Sequence, residues 1–486
     1  MPSGFAALPH VGSHDRPVSA ALDSFMTTGW GPHPVPAADQ DPGHPDLTHR
    51  RERLSTSFPG ERLVVPAGAQ QRRSNDTAYR FRPHSAYAWL TGLTGEDQAG
   101  HALVLEPAGS DRHEAVLYIR PRSPRDSSGF YRDRHHGEFW VGRRSGLDET
   151  AALTGLRCEP LDDLPKLLTG SCPLTRMVTT TDPRLDPLVS PKSRSPARDA
   201  ELETALSELR LVKEPWEVGQ LQLAVHHTTV AFDEVVRALP RALRHPRGER
   251  WIEGVFNLLA RAEGNGTGYD TIAASGANAC VLHWTRNDGE LDPSQLLLLD
   301  AGVETDTLYT ADITRTLPLS GRFSPAQRDV YELVLAAQEA AIATLRPGAL
   351  FDDFHREAMR VIAEGLHEWG VLRVSPEEAL AEDNGLHRRY TLCGSGHMLG
   401  IDVHDCAQAR ADTYPNGVLE AGHVLTVEPG LYLQPDDETL PLELRGLGVR
   451  IEDDLLITAN GAKLLSDALP RKATEVEEWM AQLLDD

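Results

Sequence analysis

The chain has 486 residues, of which 40% are hydrophobic, and a formal net charge of −24 at pH 7. This length predicts roughly two to three domains with sizeable cores. The negative charge argues against nucleic acids and anionic membranes as partners, because both are bound by basic surfaces.

The first residues predict an extension rather than a leader or a membrane span. Residues 1–47 are rich in Pro, Gly and His and predict a partly ordered N-terminal extension, with one helix candidate at 21–30. They lack a basic segment followed by an apolar stretch, so no signal peptide is expected. No apolar run in the chain approaches the ~20 residues of a membrane helix. The five cysteines form no Cys-x-x-Cys pair, which predicts reduced thiols in a cytoplasmic protein.

Residues 48–180 predict an α/β domain. Strand-like runs at 61–68, 101–107 and 114–121 are mixed with helix candidates such as DDLPKLL. The stretch that follows, 181–200, is dense in Pro, Ser and charged residues and predicts a linker.

Residues 201–480 predict a second domain, in which helices alternate with short β-type segments. A long helical run is predicted over 201–239. Apolar spacing near 3.6 residues predicts two more helices, at 323–348 and 352–370. The first has Ser324 in the capping position and Pro325 in the first turn.

Five segments of this second domain each carry an acid or a histidine at the end of an apolar run or between glycines. They are LLLLDAG (Asp300), YTADITRT (Asp312), CGSGHMLGIDVHD (His397 and His404), VLTVEPG (Glu428) and GVRIEDDLLIT (Glu452). One such acid alone is typical of a strand-ending turn, but five segments in order indicate a site.

Charge favours metal ions at this site. Four converging carboxylates repel one another in a low-dielectric environment unless cations neutralise them. Two divalent ions would do so and leave a bridging water as the nucleophile. Oxygen ligands with one imidazole and no thiolate favour Mn²⁺, with Co²⁺ or Zn²⁺ as alternatives.

Taken in this order, the segments resemble the pita-bread metallopeptidases of the Xaa-Pro aminopeptidase (aminopeptidase P) family. The likeness also covers RSNDTAYRFRPHSAYAWLTGLTG (73–95), FWVGRRSG (139–146), LVKEPWEV (211–218) and SGANACVLHWTRND (275–288). The resemblance implies an α/β fold with a creatinase-like N-terminal domain. The C-terminal pita-bread domain would be a curved, pseudo-twofold sheet flanked by helices.

The same resemblance implies a set of five metal ligands. Asp300 would chelate one ion, and Asp312 and Glu452 would bridge two ions. His397 and Glu428 would complete the second ion's shell. The implied reaction is hydrolysis of the bond between an N-terminal residue and a following proline, in peptides with proline in second position.

Four residues are given catalytic roles by the resemblance. Glu428 would act as general base toward the bridging water and pass the proton to the leaving amine. His283 and His404 would contact the substrate and the tetrahedral intermediate. Arg450 would hold the acidic cluster in place. Relatives of this family also imply a homo-oligomer, a dimer or a tetramer.

Two departures and two alternatives accompany this interpretation. Cys393 stands where the family commonly has a histidine, and a thiol cannot replace that hydrogen-bond donor. The loop between Asp300 and Asp312 is one residue longer than is usual in the family.

A prolidase, which accepts only dipeptides, would share every metal ligand. A non-catalytic pita-bread binding module is disfavoured because all five ligand positions are intact.

Several further residues are expected to have structural rather than catalytic roles. Four acids beside the proposed ligands are expected to be solvated or to cap turns: Asp402, Asp405, Asp453 and Asp454. We expect Tyr87 and Trp89 in the core of the first domain, and Arg143 and Arg144 on its surface.

Overall fold

The computed structural model describes residues 18–31, 47–75, 77–109, 112–170 and 174–485. It divides into two compact units, Met1–Leu209 and Arg210–Asp486. None of the helices in the described part of the chain combines the length and the hydropathy that crossing a bilayer requires.

The first unit is built on a five-stranded mixed sheet in the order β6-β5-β4-β1-β7. Strands β1 and β4 pair antiparallel, as do β4 and β5, whereas β5 with β6 and β1 with β7 are parallel. Strands β2 and β3 form a separate hairpin. The strands are β1 (Arg62–Pro66), β2 (Arg72–Ser74), β3 (Thr77–Ala78), β4 (Ala102–Pro107), β5 (His113–Ile119), β6 (Arg157–Pro160) and β7 (Thr175–Met177).

Eight α-helices accompany this sheet among the described residues of the unit. They are α1 (Ala20–Met26), α2 (Thr48–Ser57), α3 (Ser85–Thr91), α4 (Gly129–Arg132), α5 (Glu138–Val141), α6 (Leu147–Thr154), α7 (Leu164–Thr169) and α8 (Pro196–Leu209). Side chains of β1, β4, β5 and β7 form one apolar core with Leu161, Leu164 and Leu168. The three strand-like runs of the sequence therefore all contribute to a central sheet.

Two expectations about the first unit can be checked directly. Tyr87 and Trp89 are 0% and 2% exposed in α3, as predicted for core residues. The surface expectation for Arg143 and Arg144 is wrong. Arg144 is only 7% exposed, and Arg143 is half-buried in an ion pair with Glu149. The guanidinium of Arg144 points inward because it donates a hydrogen bond to the backbone carbonyl of Asp97.

The second unit contains six α-helices within the described range 210–485. They are α9 (Pro215–Ala242), α10 (Gly248–Glu263), α11 (Pro325–Thr344), α12 (Asp353–Glu368), α13 (Pro376–Leu380) and α14 (Ala473–Asp485). Ser324 caps α11 by accepting the N–H of Gln327, whose side chain in turn accepts the N–H of Ser324. This reciprocal pair satisfies two N–H groups that the first helical turn leaves free.

The single helical run predicted over 201–239 is wrong, because the chain forms two helices there. Helix α8 ends at Leu209 and α9 begins at Pro215. Proline disfavours the helical conformation for the residue before it, and Glu214 is extended (φ −74°, ψ 159°). Between the helices, the N–H of Lys213 bonds to the carbonyl of Gly422. Helix α8 also begins at Pro196, inside the segment predicted as a linker.

The strands of the second unit form two three-stranded antiparallel sheets and two strand pairs. The sheet orders are β12-β10-β9 and β13-β16-β17, and the pairs are β11-β8 and β14-β15. The strands are β8 (Gly266–Thr267), β9 (Ile272–Ser275), β10 (Leu296–Ala301), β11 (Val303–Glu304), β12 (Ile313–Pro318), β13 (Val424–Val427), β14 (Gly430–Leu433), β15 (Leu447–Arg450), β16 (Asp453–Thr458) and β17 (Gly461–Leu464).

The two three-stranded sheets place acids in equivalent positions. Asp300 lies near the end of β10, and Asp312 directly precedes the paired strand β12. Glu428 directly follows β13, and Glu452 directly precedes the paired strand β16. In an antiparallel pair, the end of one strand lies beside the start of the next. Each sheet therefore brings two acids to one end of a strand pair.

Candidate metal centre

His397 lies against two of the acids brought together by these sheets. Its Nε2 is 3.3 Å from Asp312 Oδ2 and 3.4 Å from Glu428 Oε1. One ligand atom each from Asp312, His397 and Glu452 lie within 4.8 Å of one another. The predicted ligand positions of both halves of the unit thus meet in one place.

Asp300 is held by two hydrogen bonds. Tyr269 donates to its Oδ1 at 2.6 Å, and Arg450 donates to its Oδ2. Arg450 is itself fixed, because its Nε donates to Thr314 Oγ1 at 3.1 Å and its Nη1 to the Tyr432 hydroxyl at 2.8 Å. The carboxylate of Asp300 is therefore set by one donor on the loop before β9 and one on β15, and β12 and β14 in turn hold Arg450.

Glu452 is held through one oxygen only. Thr314 Oγ1 donates to its Oε2 at 2.7 Å. Its Oε1 is buried and has no hydrogen-bond partner among the described residues. A buried carboxylate oxygen without a donor is costly. This oxygen is available to a cation.

The imidazole of His397 is oriented by the backbone around it. Its Nδ1 lies 3.1 Å from the carbonyl of Met398, which leaves Nε2 facing the acids. The preceding residue, Gly396, has φ +155°, and a Cβ there would stand 2.1 Å from the carbonyl of Thr426. The hydroxyl of Thr426 also accepts the N–H of His397. Only glycine fits this close approach to β13.

Burial and mutual repulsion perturb the pKa values of the acids. Burial, followed by the charge of Asp312, raises the pKa of Glu452 well above its usual value. Burial also raises the pKa of Glu428 to about 7, although His397 opposes this. For Asp300, burial outweighs the charge of Arg450 and raises the pKa.

The pKa of His397 is also shifted. Burial disfavours the charged form, but the hydrogen bond to Asp312 and the charge of Glu428 outweigh it and raise the pKa to about 9. Without a metal ion, this cluster therefore retains protons that its ordinary pKa values would release.

The remaining predicted site residues lie at the edge of this cluster. The rings of His404 and His397 are 4.4 Å apart, nearly perpendicular. His404 and His283 are both exposed, but the imidazole of His404 is partly shielded from water, and this shielding together with the charge of His397 lowers the pKa of His404. Cys393 is exposed and close enough for Glu428 and Arg450 to perturb its thiol pKa.

Sequence reasoning missed four residues that hold the cluster: Tyr269, Thr314, Tyr432 and Asp454. Thr314 lies inside the quoted YTADITRT, two positions after Asp312. Because alternate residues of an extended segment face the same side, this spacing was a usable signal that the two side chains lie together. Tyr432 follows VLTVEPG closely. Tyr269 lies outside every quoted motif, and nothing in the sequence connects it to Asp300.

The expectation that the neighbouring acids are solvated is wrong for three of them. Asp405 is 1% exposed, and Asp453 and Asp454 are both fully buried. Each has a partner: Asp405 pairs with Lys213, Asp453 with Arg315, and Asp454 accepts the backbone N–H of Asp312. Asp454 thus supports the backbone of Asp312 directly, and Asp453 supports that of Glu452 through Arg315, which donates to the Glu452 carbonyl.

The donor set fits a divalent cation. Four carboxylates and one imidazole converge, the pKa of three acids is raised, and one buried oxygen lacks a donor. A dication would relieve both the repulsion and the unsatisfied oxygen. Oxygen donors with one imidazole suit a hard or borderline ion.

Two family models match the chain. Residues 47–174 match the model described as aminopeptidase P, N-terminal domain, and residues 220–459 match the model described as metallopeptidase family M24. Xaa-Pro aminopeptidase 2 of Streptomyces coelicolor is 50% identical over 469 residues, which are 96% of this chain and 97% of that relative. Xaa-Pro aminopeptidase of Escherichia coli is 32% identical over 452 residues, 90% and 97% of the two chains.

Solved structures match over nearly the same extent. Zn-substituted Escherichia coli aminopeptidase P in complex with product matches with a TM-score of 0.78 at 30% identity, covering 90% of this chain and 98% of that chain. Proline aminopeptidase P II from Yersinia pestis matches with a TM-score of 0.76 at 31% identity, covering 90% and 99%. These matches confirm the predicted fold class.

Proposed function

The chain belongs to the Xaa-Pro aminopeptidases of metallopeptidase family M24, and on that premise we propose how its own residues perform the reaction. Enzymes of this family hydrolyse the bond between an N-terminal residue and a following proline. The observation that carries the proposal is the meeting of Asp312, His397 and Glu452 ligand atoms within 4.8 Å, with Glu428 beside the same imidazole.

Two divalent ions are proposed at this centre, with Mn²⁺ as the preferred metal. Asp300, Asp312, His397, Glu428 and Glu452 would hold them. Two dications offset four carboxylates, which supports a pair of ions over a single one. When bound, the ions would supply Lewis acidity and lower the pKa of a water molecule at the scissile carbonyl.

Glu428 is proposed as the general base and then the general acid. It would take the proton of the attacking water and deliver it to the leaving proline nitrogen. Its pKa of about 7, raised by burial, suits a group that both accepts and releases a proton near neutral pH. Its side chain is 20% exposed, so a substrate can reach it.

Three residues are proposed to position the reacting groups. His283 and His404 lie exposed at the edge of the cluster, where they would bind the substrate and stabilise the tetrahedral intermediate. Arg450 would act through Asp300, because its Nη2 donates to that carboxylate while Nη1 is tied to Tyr432. Arg450 is thus a positioning residue.

A matched pair of substrates tests this proposal. Metal-depleted enzyme is reconstituted with Mn²⁺ and given a Xaa-Pro dipeptide and a longer peptide that begins Xaa-Pro. We expect release of the first residue from the longer peptide, and loss of at least about 100-fold in kcat in Glu428→Gln. The control variant is Glu443→Gln, which removes an exposed glutamate and should leave kcat unchanged.

Each outcome of that assay has a defined meaning. Cleavage of the dipeptide alone would make the enzyme a prolidase. No cleavage of either peptide, with two ions bound per chain by elemental analysis, would contradict the proposed catalytic role of the cluster. One bound ion with full activity would contradict the two-ion proposal. Glu428→Gln with unchanged kcat would remove Glu428 as the base.

Two further expectations stay predictions. Relatives of this family imply a dimer or a tetramer, which sedimentation of the purified chain would measure. The cysteine pattern predicts a cytoplasmic protein, and the four described cysteines, Cys158, Cys280, Cys393 and Cys406, are free thiols.

A further inference from the structure

The first unit contains a cavity of about 270 Å³ that the proposed catalysis does not use. It is formed by the loop after α3, the end of β5 and the start of α6. The polar side chains that line it include Thr94, His101, Arg120, Arg144 and Ser145. All of its lining residues belong to the first unit.

Arg144 is a buried cation that makes no direct ion pair at this cavity, although the carboxylate of Asp97 lies in the same lining. It is 7% exposed, and no carboxylate of the described residues lies within ion-pair distance of it. Its Nη2 donates to the carbonyl of Asp97 and lies 3.3 Å from His101 Nε2. Its Nε is buried without a partner, and its Nη1 makes no hydrogen bond within the described chain. Burial accordingly lowers the pKa of Arg144.

His101 holds Arg144 in place without neutralising it. Its Nδ1 lies 3.1 Å from Gln98 Oε1, an acceptor, so Nδ1 carries the proton. Its Nε2 accepts the backbone N–H of Arg120 at 3.1 Å as well as the contact from Arg144. Burial and the two arginines lower the pKa of His101 well below its usual value. The imidazole is therefore neutral, and the charge of Arg144 stays available.

Arg120 and two hydroxyls add further donors to the same cavity. The guanidinium of Arg120, which is half-buried, makes no hydrogen bond or ion pair within the described chain, and neither do the side chains of Thr94 and Ser145. The opposing charge is Asp97, whose Oδ1 already accepts from Gln98 Nε2 at 2.9 Å. The lining of the cavity therefore holds two cationic side chains, Arg120 and Arg144, and one carboxylate, Asp97, so its net charge is positive.

We propose that this cavity binds a small oxyanion, a phosphate or a carboxylate. A planar guanidinium with free N–H groups matches the two oxygens of either ligand. Hydroxyl donors on the facing walls would satisfy the remaining oxygens. The volume accommodates a small ligand of this kind, and binding would give Arg144 the directly paired anion that it lacks.

Calorimetric titration of the full-length enzyme tests this site. Inorganic phosphate and acetate are titrated separately at constant ionic strength, so that unspecific screening does not change. We expect saturable binding of at least one of them. Arg120→Gln should raise its Kd about tenfold, because one charge-assisted contact is lost. Arg120 is the main variant because its side chain supports no other residue, whereas Arg144→Gln could fail to fold.

Controls separate this site from the metal centre. Arg53→Gln removes the same charge from an exposed position of α2 and should leave Kd unchanged. Hydrogen exchange should slow at residues 92–98 and 144–150 when ligand is added. Tighter binding of acetate than of phosphate would assign the site to carboxylates, and the reverse to phosphates. Absence of binding, or binding that Arg120→Gln does not weaken, would overturn the proposal.

Discussion

The thiol of Cys393 lies in the electrostatic field of Glu428 and Arg450. Although the residue is exposed, its thiol is partly shielded from water, and this shielding, with a further contribution from Glu428, raises its pKa above the usual value, so the sulfur stays protonated at neutral pH. A protonated thiol is a poor metal ligand, a poor nucleophile and a weak hydrogen-bond donor. We therefore assign Cys393 no step in the reaction, although the family resemblance implies a histidine at this position.

Removing this thiol gives a sharp prediction. In Cys393→Ala, kcat/KM for a Xaa-Pro peptide should stay within about threefold of the unsubstituted enzyme, because no strong interaction is lost. His404→Ala, made in parallel, should lose about 100-fold or more, as expected for a group that contacts the substrate. Steady-state kinetics of both variants at equal metal content make the comparison. A loss in Cys393→Ala as large as in His404→Ala would mean that the thiol contacts the substrate.

The acids at strand ends could be predicted, whereas their partners could not. Asp300 and Glu452 were recognisable because an apolar strand led directly to each. Tyr269 and Thr314 hold them through hydrogen bonds that only folding creates. A tyrosine 31 positions from its acceptor leaves no local signal, because hydrogen bonding between distant residues has no period along the chain.

At the scale of elements, the link between α8 and α9 supports the loop that carries His404. Lys213 is 1% exposed, and its Nζ donates to Asp405 Oδ2 and to the carbonyl of Arg210, both at 2.8 Å. Arg210 Nε also lies 3.3 Å from Asp405 Oδ1. The N–H of Asp405 bonds to the carbonyl of Met398 and closes the loop between the two histidines. The buried ion pair thus fixes one side of the candidate site.

Breaking that ion pair should destabilise the fold. Lys213→Met leaves the carboxylate of Asp405 buried with only Arg210 as its counter-charge, and we expect a loss of about 3 kcal/mol in the free energy of unfolding. Urea unfolding of the metal-free protein measures it. Lys213→Met combined with Asp405→Asn should recover part of the loss, because no buried charge is then left unpaired. Arg237→Met, at an exposed pair with Glu234, should change stability by less than about 0.5 kcal/mol.

A smaller loss in Lys213→Met than in Arg237→Met would contradict the ion pair's structural role.

The sequence alone predicted neither the ion pair between Lys213 and Asp405 nor the burial of Asp405. Lys213 and Asp405 are 192 positions apart, and an acid next to a candidate ligand is more often solvated. The capped start of α11, by contrast, was predictable, because Ser324, Pro325 and Gln327 act within one turn.

At the scale of the whole molecule, the second unit repeats one arrangement. The pairs β10–β12 and β13–β16 each place one acid after or near the end of the first strand and one directly before the second. The similar turns DAG and EPG were the sequence signal for this repeat. The sequence did not show how closely the backbone after β10 approaches the backbone before β12. This close approach requires glycine, because a side chain would not fit there. A Cβ at Gly302 would stand 1.7 Å from the carbonyl of Ala311, just before Asp312.

The pKa values of the cluster link metal binding to the stability of the whole chain. The folded-state pKa of Glu428 is raised from 4.5 to about 7, and that of His397 from 6.5 to about 9. A raised folded-state pKa gives a stabilising contribution that is complete below the unfolded-state value and is lost as the pH rises through the folded-state value. Glu428 therefore makes the metal-free protein less stable as the pH rises from about 4.5 to 7, and His397 does so as the pH rises from about 6.5 to 9.

Divalent ions should reverse this trend, because they bind the deprotonated ligands and compete with protons. We expect the rise in Tm on adding Mn²⁺ to be larger at pH 8 than at pH 6, by at least about 4 °C. Differential scanning calorimetry of metal-free and Mn²⁺-loaded protein at both pH values measures it. Glu428→Gln removes one titrating ligand, so its metal-free Tm should fall less between pH 6 and pH 8, and Mn²⁺ should raise it less. Equal gains at the two pH values would mean that the cluster holds no extra protons without metal, and the electrostatic basis for the two-ion proposal would be lost.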